Sequence, residues 1–357
     1  MYFDIKKRSG IISSSIHLLP IMNLRLIISV HKVLFLDISL ILFPTFISGC
    51  SEGVLSSNAP SFMDTSLLIN EFRSSQSSIN EGSTLDILVF DDDKLKRLDS
   101  YQRYENFSGP ALYTTSTGGN KIIFLLYGSE SDRYRWAEIN SYSSLSKIYC
   151  NLEDENRENA VMTGHCRCAA GSSSIPLLLA PLSGIVNIRS LRCDFSGTEY
   201  SGSEMTQVKA YLTNVNAVSG IVPEKNQGPV RLINAGMLNP YDVRCFSDTS
   251  LISQYVADRL GRSAVRLEKG FMCYPDQNAG KTRTRLVIEG KIDGTTYYWP
   301  LTAGGEMGIE RNMTYNYNIL IRRKGTTDPD TPVEPKDIDI ELNIKTWTEK
   351  ENYQVRF

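Results

Sequence analysis

Apolar and polar positions alternate at the end of the chain, behind a segment rich in proline. The alternation predicts a strand with one buried side and one side facing water. Three prolines between Thr326 and Pro335 favour an extended spacer in front of it. We therefore predict a C-terminal strand that either joins its own sheet or adds to the sheet of another chain. Its apolar positions are Ile338, Ile340, Leu342, Ile344, Trp347, Val355 and Phe357.

Short apolar runs bounded by turn residues predict further strands. They are Ser66–Phe72, Thr84–Phe90, Lys121–Tyr127, Ile175–Leu182, Ile185–Phe195, Gln207–Thr213, Thr284–Ile292, Thr295–Leu301 and Asn312–Ile321. The run from Lys121 to Tyr127 is apolar on both faces, which indicates a central strand. Asp293-Gly294 between two runs is a strong hairpin signal.

One segment has helical spacing instead of alternation. Ser250 is a candidate N-cap, Leu251, Ile252, Tyr255 and Val256 lie on one side of the predicted helix, and Gly261 ends it. The predicted class is therefore all-β with a minor α content, built from tandem β-sandwich domains. A change in composition across Ser219–Pro229 places the expected boundary between domains at residues 74–222 and 223–325, with the spacer and C-terminal strand in residues 326–357.

The N-terminal 49 residues are typical of an export signal. An apolar run follows Arg25 and Lys32 and ends in Ile47-Ser48-Gly49-Cys50. This ending is similar to a bacterial lipoprotein box with Cys50 as the lipidated residue, and Met22 is an alternative start. A single membrane-anchoring helix is the other interpretation, but the run is short for a bilayer of ~30 Å. Residues 50–73 would then hold a tether and the first strand.

Charge and histidine content narrow the possible functions. The net charge of −2 does not indicate nucleic-acid binding. Residues 1–49 contain five basic and two acidic side chains, so the exported chain would carry −5. His17 and His31 lie in the leader, which leaves His165 as the one imidazole for catalysis or for metal binding. No catalytic group and no cofactor are predicted.

Three clusters could still carry chemistry, and each has a structural alternative. His165-Cys166-Arg167-Cys168 offers three metal ligands but no fourth, so a loop with buried or disulfide-bonded cysteines is the alternative. Disulfides are allowed among the six cysteines after Cys50 but are not required. Asp91-Asp92-Asp93 could bind calcium or simply form a turn. Tyr297, Tyr298 and Trp299 could bind glycans or pack across strands.

Several short motifs, taken in order, resemble one known family. They are Ile47-Ser48-Gly49-Cys50, Leu85-Asp86-Ile87-Leu88-Val89-Phe90-Asp91, Val208-Lys209-Ala210-Tyr211-Leu212-Thr213-Asn214-Val215, and Gly308-Ile309-Glu310-Arg311-Asn312 before a tyrosine-rich strand. Together they resemble the Bacteroidales fimbrillins, the type V pilins. The resemblance implies two transthyretin-like β domains, export as a palmitoylated lipoprotein of the outer membrane, and a structural role in a surface fimbria that serves adhesion.

The resemblance also implies how such a subunit assembles. An arginine-specific surface protease removes the first strand, and another fimbrial subunit donates a strand to the empty groove. On this chain the expected cut follows Arg73, because a serine-rich loop comes after it; Arg97 and Arg103 are alternatives. The C-terminal strand would be the donor strand. Other hypotheses are a surface lipoprotein that binds glycans without polymerising, and a secreted hydrolase.

Overall fold

The structure of the protein is a computed structural model that describes most of the chain after residue 83. The residues described are 63–67, 84–106, 111–115, 117–128, 138–170, 172, 179–222, 231–276, 283–333, 338–346 and 353–356. Strands dominate them, and the α-helices α1 (Tyr142–Leu145) and α2 (Pro240–Val243) have four residues each. No helix in these ranges is long and apolar enough to cross a bilayer. The predicted all-β class with a minor α content is confirmed.

The first eight strands form the N-terminal part of the molecule. They are β1 (Met63–Leu67), β2 (Thr84–Asp91), β3 (Leu98–Tyr104), β4 (Ala111–Thr115), β5 (Lys121–Gly128), β6 (Tyr149–Asn151), β7 (Met162–Cys168) and β8 (Ala180–Pro181). Five of them build an antiparallel sheet in the order β3-β2-β5-β7-β8, which we call the N-terminal sheet. Strand β1 pairs with β4 in a separate two-stranded ribbon.

Strands β2 and β5 lie at the centre of the N-terminal sheet because both of their faces are apolar. Leu85, Ile87 and Val89 face one hydrophobic cluster, while Leu88 and Phe90 face another, and none of them is more than 1% exposed. All eight residues of β5 are buried. The prediction of a central strand at Lys121–Tyr127 is confirmed, since a strand without a polar face needs cover on both sides.

The remaining strands form two packed sheets. They are β9 (Gly184–Cys193), β10 (Met205–Thr213), β11 (Val215–Asn216), β12 (Val218–Gly220), β13 (Leu232–Ile233), β14 (Ser253–Leu260), β15 (Phe271–Cys273), β16 (Arg285–Ile292), β17 (Thr295–Thr302), β18 (Met313–Ile321), β19 (Ile338–Thr346) and β20 (Tyr353–Arg356). One sheet has the order β14-β10-β16-β17 and the other β15-β9-β18-β19-β20. Apolar residues of both belong to a single core cluster, so the sheets form a sandwich, which we call the C-terminal sandwich.

The hairpin predicted around Asp293-Gly294 is confirmed. Strands β16 and β17 pair over eight residues, and the two turn residues have φ angles of 52° and 81°. Positive φ at both central positions is the geometry of a type I′ turn, whose twist matches that of the flanking strands. Aspartate tolerates this conformation and glycine adopts it without strain, so the local sequence determines the register of the whole hairpin.

The predicted helix from Ser250 to Gly261 is wrong. Asp248 accepts a hydrogen bond from the backbone of Ser250, but this cap serves only a short 3-10 turn, Thr249–Leu251. The chain then enters β14, an outer strand that pairs with β10. The cap and the apolar spacing were real local signals, yet pairing with β10 outweighed them, as tertiary context commonly does.

The expected boundary between domains at residues 222 and 223 does not separate the sheets. Strand β9 pairs with β15 and β18, and β10 pairs with β14 and β16. Each sheet of the C-terminal sandwich therefore contains strands from both sides of the expected boundary. Local composition cannot report such long-range pairing. Residues 138–170 contain β6, β7 and α1.

Candidate assembly strands

The predicted C-terminal strand exists and lies in the chain's own sheet. Strand β19 pairs antiparallel with β18 over nine residues, from Ile338 opposite Ile321 to Thr346 opposite Met313. Strand β20 then covers the outer edge of β19, with Val355 opposite Leu342. Trp347 and Phe357 lie outside the described residues. Of the two destinations that the sequence left open, the structure therefore contains the first.

The two faces of β19 differ as the alternation predicts. Ile338 and Leu342 are buried in the sandwich core, and Ile340 and Ile344 pack against it half-buried. The opposite face is polar. The exposed Asp339 on this face forms an ion pair of 2.5 Å with Arg322, the residue that follows β18. The strand is thus amphipathic, with an apolar face that any new acceptor would have to cover.

The apolar face of β19 is incompletely packed. A cavity of about 580 Å³ lies beside it, between β19 and the end of β17. Its apolar lining includes Leu301, Pro332, Val333, Ile338, Ile340 and Leu342. Core side chains normally interdigitate with few voids larger than a water molecule. The C-terminal strand therefore gains less packing energy than its sequence would allow.

The N-terminal strand is shifted from its predicted position. Strand β1 covers Met63–Leu67, whereas the sequence predicts Ser66–Phe72, so only two residues coincide. It pairs with β4, from Met63 opposite Thr115 to Leu67 opposite Ala111. Cys50 and Arg73 lie outside the described residues, and lipidation and cleavage at these positions remain predictions.

The two alternative cleavage positions lie in ordered surroundings. Arg103 is inside β3 and opposite Asp86 of β2, so a protease would have to open this edge of the sheet to reach it. Arg97 forms an isolated bridge with Ser141. Proteases prefer exposed loop tips without such pairing. Both arginines are consequently poorer substrates than an arginine in an unpaired segment.

One face of the N-terminal sheet has its own hydrophobic cluster. The cluster contains Leu85, Ile87, Val89, Ile123, Leu125, Tyr127, Met162, Cys168 and Leu179. All of these residues precede β9, so the C-terminal sandwich contributes none of them. The partly buried Tyr104 and Cys166 pack against this cluster.

The metal-like cluster is split by the strand that carries it. His165, Cys166, Arg167 and Cys168 all belong to β7, where neighbouring side chains point to opposite faces. Burial raises the pKa of Cys166 to about 11, which favours the thiol over the metal-binding thiolate. In the described part of the chain, no group of three or more His, Cys, Asp or Glu side chains could hold a metal ion. None of the six cysteines after Cys50, all of them in the described part of the chain, forms a disulfide.

The aspartate run forms a turn, in line with its structural alternative. Asp93 accepts hydrogen bonds from the backbone of Leu95 and Lys96 at 2.9 and 2.7 Å. Asp91 instead pairs with the buried Lys121 at 2.6 Å. The carboxylates therefore diverge, and an ammonium group already occupies the space beside Asp91.

The aromatic run Tyr297-Tyr298-Trp299 packs across strands. Trp299 is fully buried, and its indole Nε1 donates to the carbonyl oxygen of Arg323 at 3.1 Å. Tyr297 and Tyr298 are half-buried, and the Lys324 ammonium lies 5.4 Å from the ring centre of Tyr297. The proposal that Trp299 contacts glycans is wrong, because the side chain has no exposed surface.

Sequence reasoning missed the contacts that hold the spacer. Thr326 and Tyr298 exchange two backbone hydrogen bonds of 2.9 Å, and Asp330 lies 2.8 Å from Arg285. Asn214 also donates to Asp330, at 3.3 Å. A spacer rich in proline predicts an extended chain, but nothing local in the sequence indicates which strand it lies against.

The fold and the terminal strands together define a class: a two-part, all-β protein with a short N-terminal ribbon and a C-terminal strand near a sheet edge. No family model matches the chain, and no curated protein matches it in sequence. Solved structures, however, match over most of its length. Fimbrilin from Porphyromonas gingivalis matches with a TM-score of 0.59 at 15% identity, covering 80% of this chain and 97% of that one.

Two further structures, each named a "putative cell adhesion protein", match equally well. The one from Bacteroides eggerthii has a TM-score of 0.59 at 14% identity, covering 80% of this chain and 95% of its own. The one from Parabacteroides distasonis has a TM-score of 0.58 at 15% identity, covering 80% and 97%. The chain thus has the fold of these proteins, and the resemblance to Bacteroidales fimbrillins is confirmed at the level of the fold.

Proposed function

We propose that the protein is a structural, non-enzymatic subunit of a fimbria on the cell surface, with a role in adhesion. The shared fold with fimbrilin and with the two adhesion proteins supports this proposal. The single observation that carries it is β19. A nine-residue amphipathic strand at the end of the chain, behind a spacer and beside a cavity, has the form of an element that can be donated.

The proposal includes export as a lipoprotein. Cys50 would carry the lipid, and the precursor would be anchored in the outer membrane. An arginine-specific surface protease would then cut after Arg73, releasing the lipid and the segment that contains β1. The unpaired loop expected around Arg73 in the sequence, compared with the bridged Arg97 and the strand residue Arg103, supports this choice of position.

Loss of β1 would create the acceptor. Strand β4 would lose the partner to which it is paired over five residues, leaving backbone groups without hydrogen bonds. An incoming β19 could satisfy the backbone groups and bury its apolar face, which at ~25 cal/mol per Å² contributes several kcal/mol before ordering costs.

Proteolysis followed by assembly tests the proposal. The chain from Ser51 onward is treated with an arginine-specific protease, and polymers are measured by size-exclusion chromatography and electron microscopy. We expect polymers from the clipped full-length chain but not from a clipped chain that ends at Lys336. Equal polymerisation of the two would rule out donation by β19.

Matched substitutions test the position of the cut. Arg73→Lys removes the protease site without changing charge and should prevent both cleavage and assembly. Arg97→Lys and Arg103→Lys are the controls and should leave both intact. Mass spectrometry of the N-terminus of the surface form reads out the lipid at Cys50 or a new terminus directly, and a terminus after Arg97 or Arg103 would contradict the assignment.

A further inference from the structure

The described part of the spacer, Thr326–Val333, is attached to the C-terminal sandwich at two places. At its start, Thr326 pairs with Tyr298 of β17 through two backbone hydrogen bonds. Near its middle, the Asp330 carboxylate lies 2.8 Å from Arg285 Nη1, and Arg285 also donates to the Asp330 carbonyl oxygen. Asn214 adds a hydrogen bond to the same carboxylate. We call the contact of Asp330 with Arg285 and Asn214 the spacer latch.

We infer that the spacer latch controls the release of β19 from its own sheet. The inference rests on the proposed function only for the role of the released strand in assembly. The latch itself is a property of the single chain. With the latch closed, the spacer holds the start of β19 beside β17. With the latch open, only the pairing of β19 with its neighbours keeps it in place.

The position of the cavity explains why the spacer can have this effect. Pro332 and Val333 of the spacer line the cavity of about 580 Å³ together with Ile338, Ile340 and Leu342 of β19. The spacer is thus one wall of the cavity, and β19 is another. If the spacer moves away, this cavity, which is already partly open to solvent, widens and the apolar face of β19 loses part of its cover. A weakly packed strand then opens more often.

The spacer is stiff enough to transmit the effect of the latch. Asp328 accepts hydrogen bonds from the backbone of Asp330 at 3.0 Å and from the hydroxyl of Thr331 at 2.8 Å. Pro332 follows directly and fixes its own φ angle. The turn at 328–331 therefore places the Asp330 side chain and the cavity wall in one rigid unit.

The latch is strong enough to matter and weak enough to open. The Arg285 side chain is 21% exposed and the Asp330 side chain 50% exposed, so water and salt partly screen the pair. Loss of the Asp330 carboxylate leaves the Asn214 amide, on a residue that is 4% exposed, without this acceptor. A contact of this kind shifts an opening equilibrium by a small factor and does not abolish the fold.

Hydrogen exchange of the unclipped chain tests the latch. In Asp330→Ala we expect the amides of Ile338–Thr346 to exchange about two- to fivefold faster than in the wild type, with Asp330→Asn in between. Amides of β2 and β5, which lie in the N-terminal sheet and contribute no residue to the latch, should not change. Glu204→Ala is the control, because it removes another surface ion pair, with Arg259 at 3.1 Å, that does not touch the spacer.

Salt gives a second readout. Added sodium chloride should speed the exchange of β19 in the wild type and have less effect in Asp330→Ala, because only the wild type has the ion pair to screen. Unchanged exchange of β19 in Asp330→Ala, or an equal rise in β2 and β5, would overturn the latch.

Assembly assays separate this inference from the proposed function. Faster exchange of β19 in Asp330→Ala, together with faster polymerisation of the clipped chain, supports both. Faster exchange without any polymer from the clipped wild type supports the latch and contradicts the fimbrial role. Polymer formation with unchanged exchange supports the role and contradicts the latch.

Discussion

Strands β5 and β19 are of nearly equal length, but their surroundings differ. All eight residues of β5 are buried, and β2 and β7 pair with it on both edges. Of the nine residues of β19, only Ile338 and Leu342 are buried, and a cavity lies beside them. The outer edge of β19 is paired with β20 only from Glu341 to Ile344. The larger difference is in side-chain packing, which contributes most of the free energy of burial.

This difference shows which strands can take part in exchange. Removal of β5 would break the N-terminal sheet in two and expose both of its clusters. Removal of β19 would uncover one edge of β18 and empty a region that is already poorly filled. A strand can be donated only if the free energy lost when it leaves its own sheet is smaller than the free energy gained when it joins the neighbour's sheet. The loose packing of β19 meets this requirement better than the tight packing of β5.

Matched leucine substitutions in β5 and β19 have the largest expected effect on the free energy of unfolding. Leu125→Ala in β5 removes a fully buried side chain from a closed cluster, and we expect a loss of about 3 to 5 kcal/mol in the free energy of unfolding. Leu342→Ala in β19 removes a side chain that already borders the cavity, so fewer contacts are lost and about 2 kcal/mol is expected. Urea unfolding measures both. A larger loss from Leu342→Ala would contradict the comparison.

The buried Glu155 provides the next test, at the contact between the two parts of the molecule. Its carboxylate accepts hydrogen bonds from the backbone of Val161 at 3.1 Å and from the hydroxyl of Tyr274 at 2.8 Å. Burial, with a smaller effect of the neighbouring Asp154, raises the pKa of Glu155 from 4.5 to about 7. The folded state therefore binds this proton more tightly than the unfolded state does.

The sign of the pH dependence follows from linkage. Between pH 4.5 and about 7 the folded chain keeps the proton that the unfolded chain has lost, so stability falls as the pH rises. The full effect is about 3 kcal/mol at ~1.4 kcal/mol for each pKa unit. Glu155→Gln should flatten the curve of unfolding free energy against pH. An unchanged slope in Glu155→Gln would show that another group is responsible.

The sequence was informative wherever the signal is local. The alternation in Ile338–Ile344, the apolar run of β5 and the Asp293-Gly294 turn each predicted the observed element, because side-chain periodicity and turn conformation depend on neighbouring residues. The helix predicted at Ser250–Gly261 was wrong because this segment pairs with β10, which is distant in the chain. The local pattern of residues contains no information about that pairing.

The same limit applies to the candidate site. The alternation identified the apolar face of β19 but could not reveal the cavity beside it, which depends on how β17, the spacer and β19 meet. Asp330 and Arg285 carry no motif, and their contact is formed by residues far apart in the chain. The aromatic run around Trp299 could have indicated glycan binding, yet the position of Trp299 on β17 places its side chain in the core.

A smaller effect is expected from the hairpin that borders the cavity. Gly294 has a φ angle of 81°, which an L-amino acid with a side chain adopts at a cost of about 1 to 2 kcal/mol. Gly294→Ala should lower the free energy of unfolding by about 1 kcal/mol, because no atom lies close enough to add a clash. Asp293→Asn is the control and should be nearly neutral, since asparagine tolerates this conformation. A neutral Gly294→Ala would show that the turn has relaxed to another type.

The smallest expected effect concerns the ion pair on the outer face of β19. Asp339 and Arg322 lie 2.5 Å apart, but their side chains are 56% and 49% exposed, so solvent screens the attraction. Asp339→Asn should change the free energy of unfolding by less than about 0.5 kcal/mol and leave the exchange of β19 amides nearly unchanged. The contrast with Asp330→Ala is the point of the measurement, because both changes remove one carboxylate from an ion pair near β19. Equal acceleration of β19 exchange in the two variants would mean that β19 responds to any lost surface charge and not to its spacer.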